Sequence, residues 1–416
     1  MHDWWWLVAP PVLTFLFHDF WLLYVRWKMF YGLDWLLLEI KLPQIVERTP
    51  QAMEQVFLGL HGMYSKPKVT QKYFRGEVPN WFSVELASIN GETHFYIRVL
   101  SKFRNLVESH VWAQYPDAEI READDYTVTV PRGLPNASWD VWGTEFVLQK
   151  QDVYPIRTYI DFENPVEERR LDPLAAVLEV MSSLGPGEQL WFQIVAEPII
   201  DNWRAQGEEV INRLISKKSA KRQNVFEAFL DGSLTFVGGA LTDVLEAIFP
   251  GLATPPETQK KYEPQAPPSM MMHLSQPEKD IVEAIGKNIA KMAFLVGVRV
   301  VYVARRDVFN KAMPSAVFGS IRQFNTLNLN GFKPNMRTLP NAYYIMPKFR
   351  NEFRKRRLDW RYRLRFFHGR FAKRYVLNVE EMATVYHFPG MLVAKAPMLS
   401  RIDAKRAEPP ATLPTA

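Results

Sequence analysis

The sequence predicts an α+β protein in which an N-terminal transmembrane helix precedes two ferredoxin-like (split βαβ) sandwich modules. Three observations support this fold class: an apolar stretch at residues 4–25, a strand–turn–strand pattern around Asn90-Gly91, and a second series of strands and helices at residues 144–330. The chain has 416 residues, of which 47% are hydrophobic, so it can bury a sizeable core and form two or three domains.

Residues 1–35 are predicted to form a membrane anchor. The stretch Trp4–Val25 can cross a bilayer core of roughly 30 Å at about 1.5 Å per helical residue. Arg26 and Lys28 follow it, so the positive-inside rule predicts a single-pass protein of the cell membrane with its C-terminal body in the cytoplasm. Two prolines would kink the helix and a His-Asp pair is costly in lipid, so an amphipathic interfacial helix and a buried first helix are the alternatives. The predicted membrane-contacting residues are Trp4, Trp5, Trp6, Phe15, Phe17, Trp21 and Leu22.

The first α+β module is predicted at residues 36–135. Phe82, Val84 and Leu86 alternate with small or polar residues, and Asn90-Gly91 then favours a tight hairpin turn because both positions tolerate positive φ. A hairpin, a helix and a returning strand together are typical of a split βαβ unit. The predicted elements are strands at 36–42, 81–89, 92–99 and 118–128, and helices that begin near Pro50 and Ser101.

The second α+β module is predicted at residues 144–330 and is interrupted by a helical and Pro-rich insertion at 202–274. The Pro-rich part has too few apolar residues to order itself. Regular structure resumes at Ser275 and Glu278, which have the spacing of a capping box. The predicted elements are strands at 145–149, 157–161, 189–198 and 294–304, and helices at 172–184, 275–289 and 315–325.

A basic and aromatic segment occupies residues 344–376. Between residues 348 and 374, twelve Lys or Arg residues stand against two acidic residues, a local charge of +10 in a chain of net charge +6. This concentration indicates a surface for one anionic partner. The block at 354–357 favours a helix, whereas alternation at 360–365 favours a strand with a basic face. The candidate partner-binding residues are Arg354, Lys355, Arg356, Arg357, Arg361, Arg363, Arg365 and Arg370.

The chemistry of this segment leaves its partner open. Arginine interleaved with aromatic residues suits phosphate pairing and base stacking in a nucleic acid. It suits anionic lipid headgroups equally well, and an acidic protein surface too. A solvated basic face without any partner is the remaining alternative.

No residue pattern in the chain indicates catalysis. There is no Walker A motif, no GxGxxG after a strand, no HExxH and no GxSxG elbow. The chain has no cysteine, which excludes disulfides and thiolate chemistry, and its eight histidines lack metal-binding spacing. We therefore expect a protein that is not an enzyme and that needs no cofactor or metal. The acidic residues Glu119, Glu122, Asp124 and Asp125 are predicted to form a solvated strand edge, and His61 and His110 to be structural.

Several stretches resemble one family. The segment Trp81–Tyr126, together with residues 36–43, 275–289 and 301–310, resembles the N-terminal region of membrane-associated proteins from conjugative type IV secretion loci of candidate-phylum bacteria. Residues 378–390 and 405–414 are similar to the stretch that precedes the motor domain in HerA- and TraD-like DNA-translocating ATPases.

The resemblance implies a function and a partner. It implies a non-catalytic, membrane-anchored component of a DNA- or protein-transfer machine that docks a separate HerA- and TraD-like ATPase, with the sandwiches packing between subunits of a homo-oligomer. The relatives' ATPase domain would begin where this chain ends, so nucleotide hydrolysis is not carried over, and half of a split motor is the other possibility. A nucleic-acid-binding module and a peripheral anionic-lipid-binding protein are the alternative functions. Docking is expected in the capped helix and connector tail at 377–416, through Glu381, Tyr386, His387, Phe388 and Pro389.

Overall fold

The computed structural model describes residues 5–43, 48–162, 171–200, 203–216, 274–366, 373–390 and 401–402. The chain divides into two compact units, one that joins residues 1–204 with 284–416 and one that comprises residues 205–283. Most of the predicted insertion at 202–274 lies outside the described residues. The β-sheet belongs to the first unit.

The first unit is built on an antiparallel sheet of nine strands. Its strands are β1 (Trp35–Pro43), β2 (Phe82–Ile89), β3 (Glu92–Leu100), β4 (Glu119–Glu122), β5 (Trp139–Leu148), β6 (Glu188–Ile199), β7 (Ala293–Arg305), β8 (Phe332–Pro334) and β9 (Tyr375–Asn378). A two-residue strand, β10 (Arg401–Ile402), pairs with β1 in parallel. The strand order is β10-β1-β3-β2-β6-β7-β5-β8, with β4 beside β1 and β9 beside β7.

The described residues of the two units also form nine helices. They are α1 (Trp5–Tyr31), α2 (Pro50–Leu60), α3 (Arg104–Gln114), α4 (Ala175–Ser182), α5 (Trp203–Ser216), α6 (Gln276–Ile289), α7 (Met313–Ile321), α8 (Pro347–Leu364) and α9 (Val379–Val385). Short helical turns lie between them, including a π-helical turn at Gln71–Arg75. The predicted hairpin turn is confirmed, because Asn90 and Gly91 both have positive φ, at 55° and 92°.

The two predicted sandwich modules are instead parts of one sheet. Strand β2, from the first predicted module, pairs with β6 of the second along its whole length, from Phe82 to Ile89. Strands β6 and β7 then pair over twelve residue positions. Both are long and almost entirely buried, so each needs a neighbour on either side. Alternation around Val84 indicated that strand correctly, but it carried no information about which strands pair.

The two faces of the sheet differ in chemistry. One face is apolar, with Val84, Phe192 and Val298 in a large cluster that also contains the buried side chains of α2, α3, α4, α7 and α9. The other face carries a smaller apolar cluster into which α8 inserts Leu358 and Tyr362. The second face is the one on which polar residues lie, and α8 covers it.

The predicted transmembrane helix is not supported. Helix α1 forms where the span was expected, but among the described residues we find no helix that combines the length and the apolar character needed to cross a bilayer. Pro10 and Pro11 lie inside α1, and His18 and Asp19 lie near its middle. These residues, together with several tryptophans, reduce its mean hydropathy.

Two predicted strands also take other forms. Residues 157–161 belong to a turn that ends in a short helix at Tyr159–Phe162. The reason is that backbone N–H groups of this segment donate to side chains of α9 and its cap: Ile156 to Glu381, and Tyr159 to Thr384, both at 2.9 Å. The expected strand at 360–365 is the last part of α8.

Candidate anion-binding site

The basic segment folds as one helix, α8, on the polar face of the sheet. Its interior is rich in Arg, Lys, Glu and Leu, which are good helix formers, and Pro347 suits its first turn. Gly143 on β5 allows the helix to approach closely, because a Cβ there would lie 2.7 Å from Leu358 Cδ2. Arg365 closes the helix in the left-handed region, at φ 52°.

The arginines at the end of α8 are paired inside the protein. Arg365 is 1% exposed and donates to both oxygens of Glu85, at 2.8 and 3.0 Å. It also donates to both oxygens of Asp125, so Asp125 is not the fully solvated acid that the sequence predicted. Arg361 donates to Glu145 at 3.0 Å, and Arg363 donates to Asp359 at 2.8 Å. Arg363 and Arg365 are therefore neutralised from within, whereas Arg361 shares its carboxylate with Arg299, which also donates to Glu145, at 3.3 Å.

Two of the carboxylates that accept from these arginines, Glu85 and Glu145, belong to a polar row across the sheet. Its members are in register on six neighbouring strands: Glu39, Tyr96, Glu85, Gln193, Arg299 and Glu145. Gln193 donates to Glu85 at 3.0 Å and to the Tyr362 carbonyl at 3.2 Å. Arg299 donates to Glu145 and to the Arg361 carbonyl. The row thus provides hydrogen-bond partners for both side chains and backbone carbonyls at the C-terminal end of α8.

Electrostatics explains why this pairing is strong. Burial opposes ionisation of Glu85, but the Arg365 guanidinium outweighs it and holds the pKa of Glu85 below its ordinary value. The same competition, burial against hydrogen bonds from Arg365, lowers the pKa of Asp125 to about 2. Burial lowers the pKa of the Arg299 guanidinium, which Glu145 partly offsets. A buried charge of either sign would be costly here without its partner.

The first part of α8 lines a cleft of about 160 Å³. Arg350, Arg354, Arg357 and Arg361 follow one another at intervals of four, three and four residues, which places them on one face of the helix. Arg337, after β8, lines the cleft from outside the helix. Among the residues that the structure describes, nine line the cleft, of which five are arginines and none is acidic. We call these five arginines and the space between them the arginine cleft.

Neutral groups hold two of these arginines in place. Arg354 donates to the Leu339 carbonyl at 2.6 Å, and Arg350 donates to the Tyr344 carbonyl at 3.1 Å while its guanidinium stacks on that ring. Carbonyl oxygens orient a guanidinium without cancelling its charge. Burial and the neighbouring Arg361 both lower the pKa of Arg357. An anion in the cleft would relieve this repulsion, and paired guanidinium forks are well suited to phosphate or carboxylate oxygens.

Aromatic side chains stand at the rim of the cleft. Phe349 and Phe353, which belong to its lining, are 65% and 55% exposed. Both alternate with the arginines along the outer side of α8, as the sequence of the segment suggested. They add flat apolar surfaces next to the cationic ones.

The remaining candidates of the basic segment lie elsewhere. Lys355 points to the sheet and donates to Asp140 at 2.6 Å. Arg356 is exposed, 3.9 Å from Glu352 on the next turn. Arg370 lies outside the described residues. Of the eight candidates, the structure therefore brings Arg354, Arg357 and Arg361 together in the arginine cleft.

The five predicted docking residues are buried inside the protein. Glu381 accepts from Ile156 N–H and Asn378 N–H at 2.9 Å each, and burial raises its pKa to about 8. The Tyr386 hydroxyl donates to the Tyr96 carbonyl. The other three are His387, which lies 2.9 Å from Asp172; Phe388, which packs edge-on to Phe95 and Tyr115; and Pro389. Because these side chains serve the core, a partner cannot reach them in this conformation.

The predicted membrane residues lie on or near α1. Trp4 is outside the described residues, and Trp5 and Trp6 begin the helix. Phe15, Phe17 and Trp21 are exposed to solvent, at 58%, 67% and 38%, and Leu22 is partly buried. His61, which was predicted to be structural, is buried with Nε2 3.0 Å from the Ile199 carbonyl oxygen.

Sequence reasoning missed part of the cleft. Arg350 belongs to the same helical face as Arg354 and Arg357, a relation visible once the whole segment is taken as a helix. Arg337 gave no signal, because it lies in an irregular segment that only the tertiary structure brings to α8. Within the described part of the chain, no group of three or more His, Asp or Glu residues is placed to hold a metal ion.

The fold and the arginine cleft define an α+β protein with a cationic cleft beside its sheet. A family model described as "Domain of unknown function (DUF8128)" matches residues 37–395. Since the match covers most of the chain, the protein belongs to this family. A comparison with curated proteins found no match.

Proposed function

We propose that the protein binds single-stranded nucleic acid through the arginine cleft, as a binding component rather than an enzyme. The observation that carries the proposal is the alignment of four arginines on one face of α8, opposite Arg337, in a cleft without a carboxylate in its lining. Phosphates of a nucleic acid are the ligands that such an array recognises by charge and by paired hydrogen bonds.

The dimensions of the array support a polymer rather than a single ion. From Arg350 to Arg361 the helix rises about 16 Å, at about 1.5 Å per residue. Several successive phosphates can be placed along that distance, each within reach of one guanidinium.

The aromatic rim favours a single strand over a duplex. Phe349 and Phe353 offer exposed rings beside the arginines. Unpaired bases stack on such rings, with about 1–3 kcal/mol per base. A duplex hides the faces of its bases, whereas a single strand presents them.

The wider role stays a prediction from the resemblance. A protein that holds single-stranded nucleic acid suits a conjugative type IV secretion machine, in which a separate HerA- and TraD-like ATPase would supply the work. The expected docking segment needs revision in this scheme, since its residues up to 390 are largely buried. Homo-oligomer formation is likewise an expectation that the proposal carries forward.

Fluorescence anisotropy with labelled oligothymidylate tests the proposal. We expect the triple substitution Arg350→Gln, Arg354→Gln, Arg357→Gln to weaken binding at least tenfold. It should also reduce the slope of log affinity against log salt by about 2, because each phosphate contact on a single strand contributes about 0.7. Phe353→Ala should weaken binding with little change of that slope.

The matched control is a triple substitution of equal charge at another place, Lys68→Gln, Lys72→Gln, Arg75→Gln. It should leave oligothymidylate binding nearly unchanged. If it weakens binding as much as the cleft variant does, the loss of affinity in the cleft variant results from net charge and not from the cleft. If the unmodified protein binds anionic vesicles through α8 but no oligonucleotide at low salt, the proposal is wrong.

A further inference from the structure

The N-terminal helix has an unusual environment. Every residue of α1 from Pro11 to His18 is exposed, so this part of the helix is surrounded by solvent on all sides. Its exposed side chains are large and apolar, with Phe15, Phe17 and Phe20 between 58% and 67% exposed. A helix that is apolar around its whole circumference is normally covered by something.

A second segment, residues 66–76, lies against α1 and adds to this surface. Val69 and Phe74 are 72% and 73% exposed, although both are apolar. Around them, Lys68, Lys72 and Arg75 are exposed as well. The segment therefore joins apolar side chains with a collar of positive charge. Arg75 has Glu77 at 3.8 Å, but its own side chain is 75% exposed, so this pair is weak.

Specific contacts fix the two segments to each other. Trp21 Nε1 donates to the Tyr73 carbonyl at 2.9 Å, and the rings of His18 and Tyr73 lie 5.7 Å apart. Gly76, at φ 69°, touches the backbone of Val25 so closely that a Cβ would lie 2.4 Å from its carbonyl carbon. The apolar helix and its basic collar thus form one surface, which we call the α1 surface.

We propose that the α1 surface docks on an anionic membrane, with the exposed rings in the headgroup region and the basic collar on the lipid phosphates and carboxylates. The helix lies on the bilayer and does not cross it. Charge decides the occupant: a second copy of the chain would bring an identical cationic collar against this one. An anionic lipid surface instead complements the collar and accepts aromatic side chains at its interface.

This proposal is independent of nucleic-acid binding, because the arginine cleft and the α1 surface share no residue. One result can therefore fail while the other stands. The two triple substitutions serve as each other's controls, since both remove three positive charges from exposed or half-exposed positions.

Flotation with vesicles tests the proposal on the full-length protein. We expect it to float with vesicles of phosphatidylcholine and phosphatidylserine, and at least tenfold less with phosphatidylcholine alone. Lys68→Gln, Lys72→Gln, Arg75→Gln should lower binding to the mixed vesicles at least tenfold, since each cation near an anionic surface contributes about a fivefold gain. Arg350→Gln, Arg354→Gln, Arg357→Gln should leave it unchanged. Phe15→Ser, Phe17→Ser should abolish flotation while the circular dichroism spectrum is retained.

Three outcomes would overturn the proposal. One is failure of the unmodified protein to float with mixed vesicles at low salt. Another is equal flotation with both kinds of vesicle, unaffected by loss of the collar. The third is a concentration-dependent dimer that Phe15→Ser, Phe17→Ser converts to a monomer, because then a second copy covers the surface.

Discussion

The two ends of α8 use the same residue type in opposite ways. At its C-terminal end, Arg361 and Arg365 are buried against Glu145 and Glu85 and hold the helix on the sheet. Towards its N-terminal end, Arg350 and Arg354 are held by carbonyl oxygens and line a cleft without acidic residues. The local charge of the sequence is nearly uniform over both parts, so charge density alone does not reveal function.

What separates the two parts is the surface beneath them. The polar row supplies carboxylates where α8 crosses the middle of the sheet, and each supplied carboxylate removes one arginine from the binding surface. Beyond the row, the cleft residues Arg350 and Arg354 donate to neutral carbonyl oxygens, while Lys355, on the side that faces the sheet, pairs with Asp140. A basic helix thus becomes a binding site where the protein beneath it no longer supplies acidic partners. Measurements of stability and of binding can distinguish the paired arginines from the cleft arginines.

Removing Arg365 should have the largest effect. Arg365→Met leaves Glu85 buried without its main partner, and breaking a buried pair in this way costs about 3–5 kcal/mol in the free energy of unfolding. Urea unfolding measures this. Adding Glu85→Gln should restore part of the loss. The control Arg356→Met, on the exposed side of the same helix, should change stability by no more than about 0.5 kcal/mol. Equal losses of stability in Arg365→Met and Arg356→Met would contradict the division of α8 into a paired end and an exposed part.

Arg361 belongs both to the paired end of α8 and to the arginine cleft. Its substitution should therefore lower both stability and binding, each by less than in the parts themselves. Arg361→Met should cost about 1–3 kcal/mol, less than Arg365→Met, because Arg299 still lies 3.3 Å from Glu145. The same substitution should weaken oligothymidylate binding, since Arg361 also lines the arginine cleft. If Arg361→Met lowers the free energy of unfolding but keeps full affinity for oligothymidylate, Arg361 does not belong to the binding site.

Acid should affect the paired end of α8 selectively. The pKa of Asp125 is about 2 in the folded protein against an ordinary 3.8, so its stabilising contribution is complete above pH 3.8 and is lost as the pH falls through about 2. Asp125→Asn should therefore be less stable at pH 5, and the difference should shrink as the pH falls to 2. Its 38% exposed side chain makes this a modest effect. Parallel unfolding curves at every pH would contradict the pairing.

The smallest effect on stability is expected in the cleft. Arg350→Met removes one hydrogen bond and one ring contact at the surface, so the free energy of unfolding should change by less than about 0.5 kcal/mol. Oligothymidylate affinity should nevertheless fall measurably. A thermal melt and an anisotropy titration on the same sample distinguish the two quantities. A large loss of stability would mean that the cleft arginines are structural.

Sequence reasoning reached the local features and failed at the long-range ones. The alternation around Val84 and the turn at Asn90-Gly91 predicted the β-hairpin, because both signals are carried by neighbouring residues. The pairing of β2 with β6 could not be predicted, since it joins segments about one hundred residues apart and any two strands of similar length would satisfy the same pattern. One sheet was therefore divided into two modules.

The same distinction applies to the site. Arg354 and Arg357 were found because charge density is a local property. The polar row could not be predicted, because Glu85, Gln193 and Arg299 share a register only through the strand order. The docking residues around His387 are predicted from the resemblance of residues 378–390 to the stretch that precedes a motor domain, which carries no information about burial. Their burial follows from the packing of α9 against α2 and the sheet, which no local pattern reports.

The polar row also sets an order for biosynthesis. Glu85 leaves the ribosome 280 residues before Arg365, its main partner. At about 5–20 residues per second, a growing chain keeps that carboxylate uncompensated for tens of seconds. Strands β2, β6 and β7 can pair during this interval, but their polar face must stay hydrated until α8 emerges. The polar face of the sheet can therefore be covered by α8 only after residue 365 has been translated.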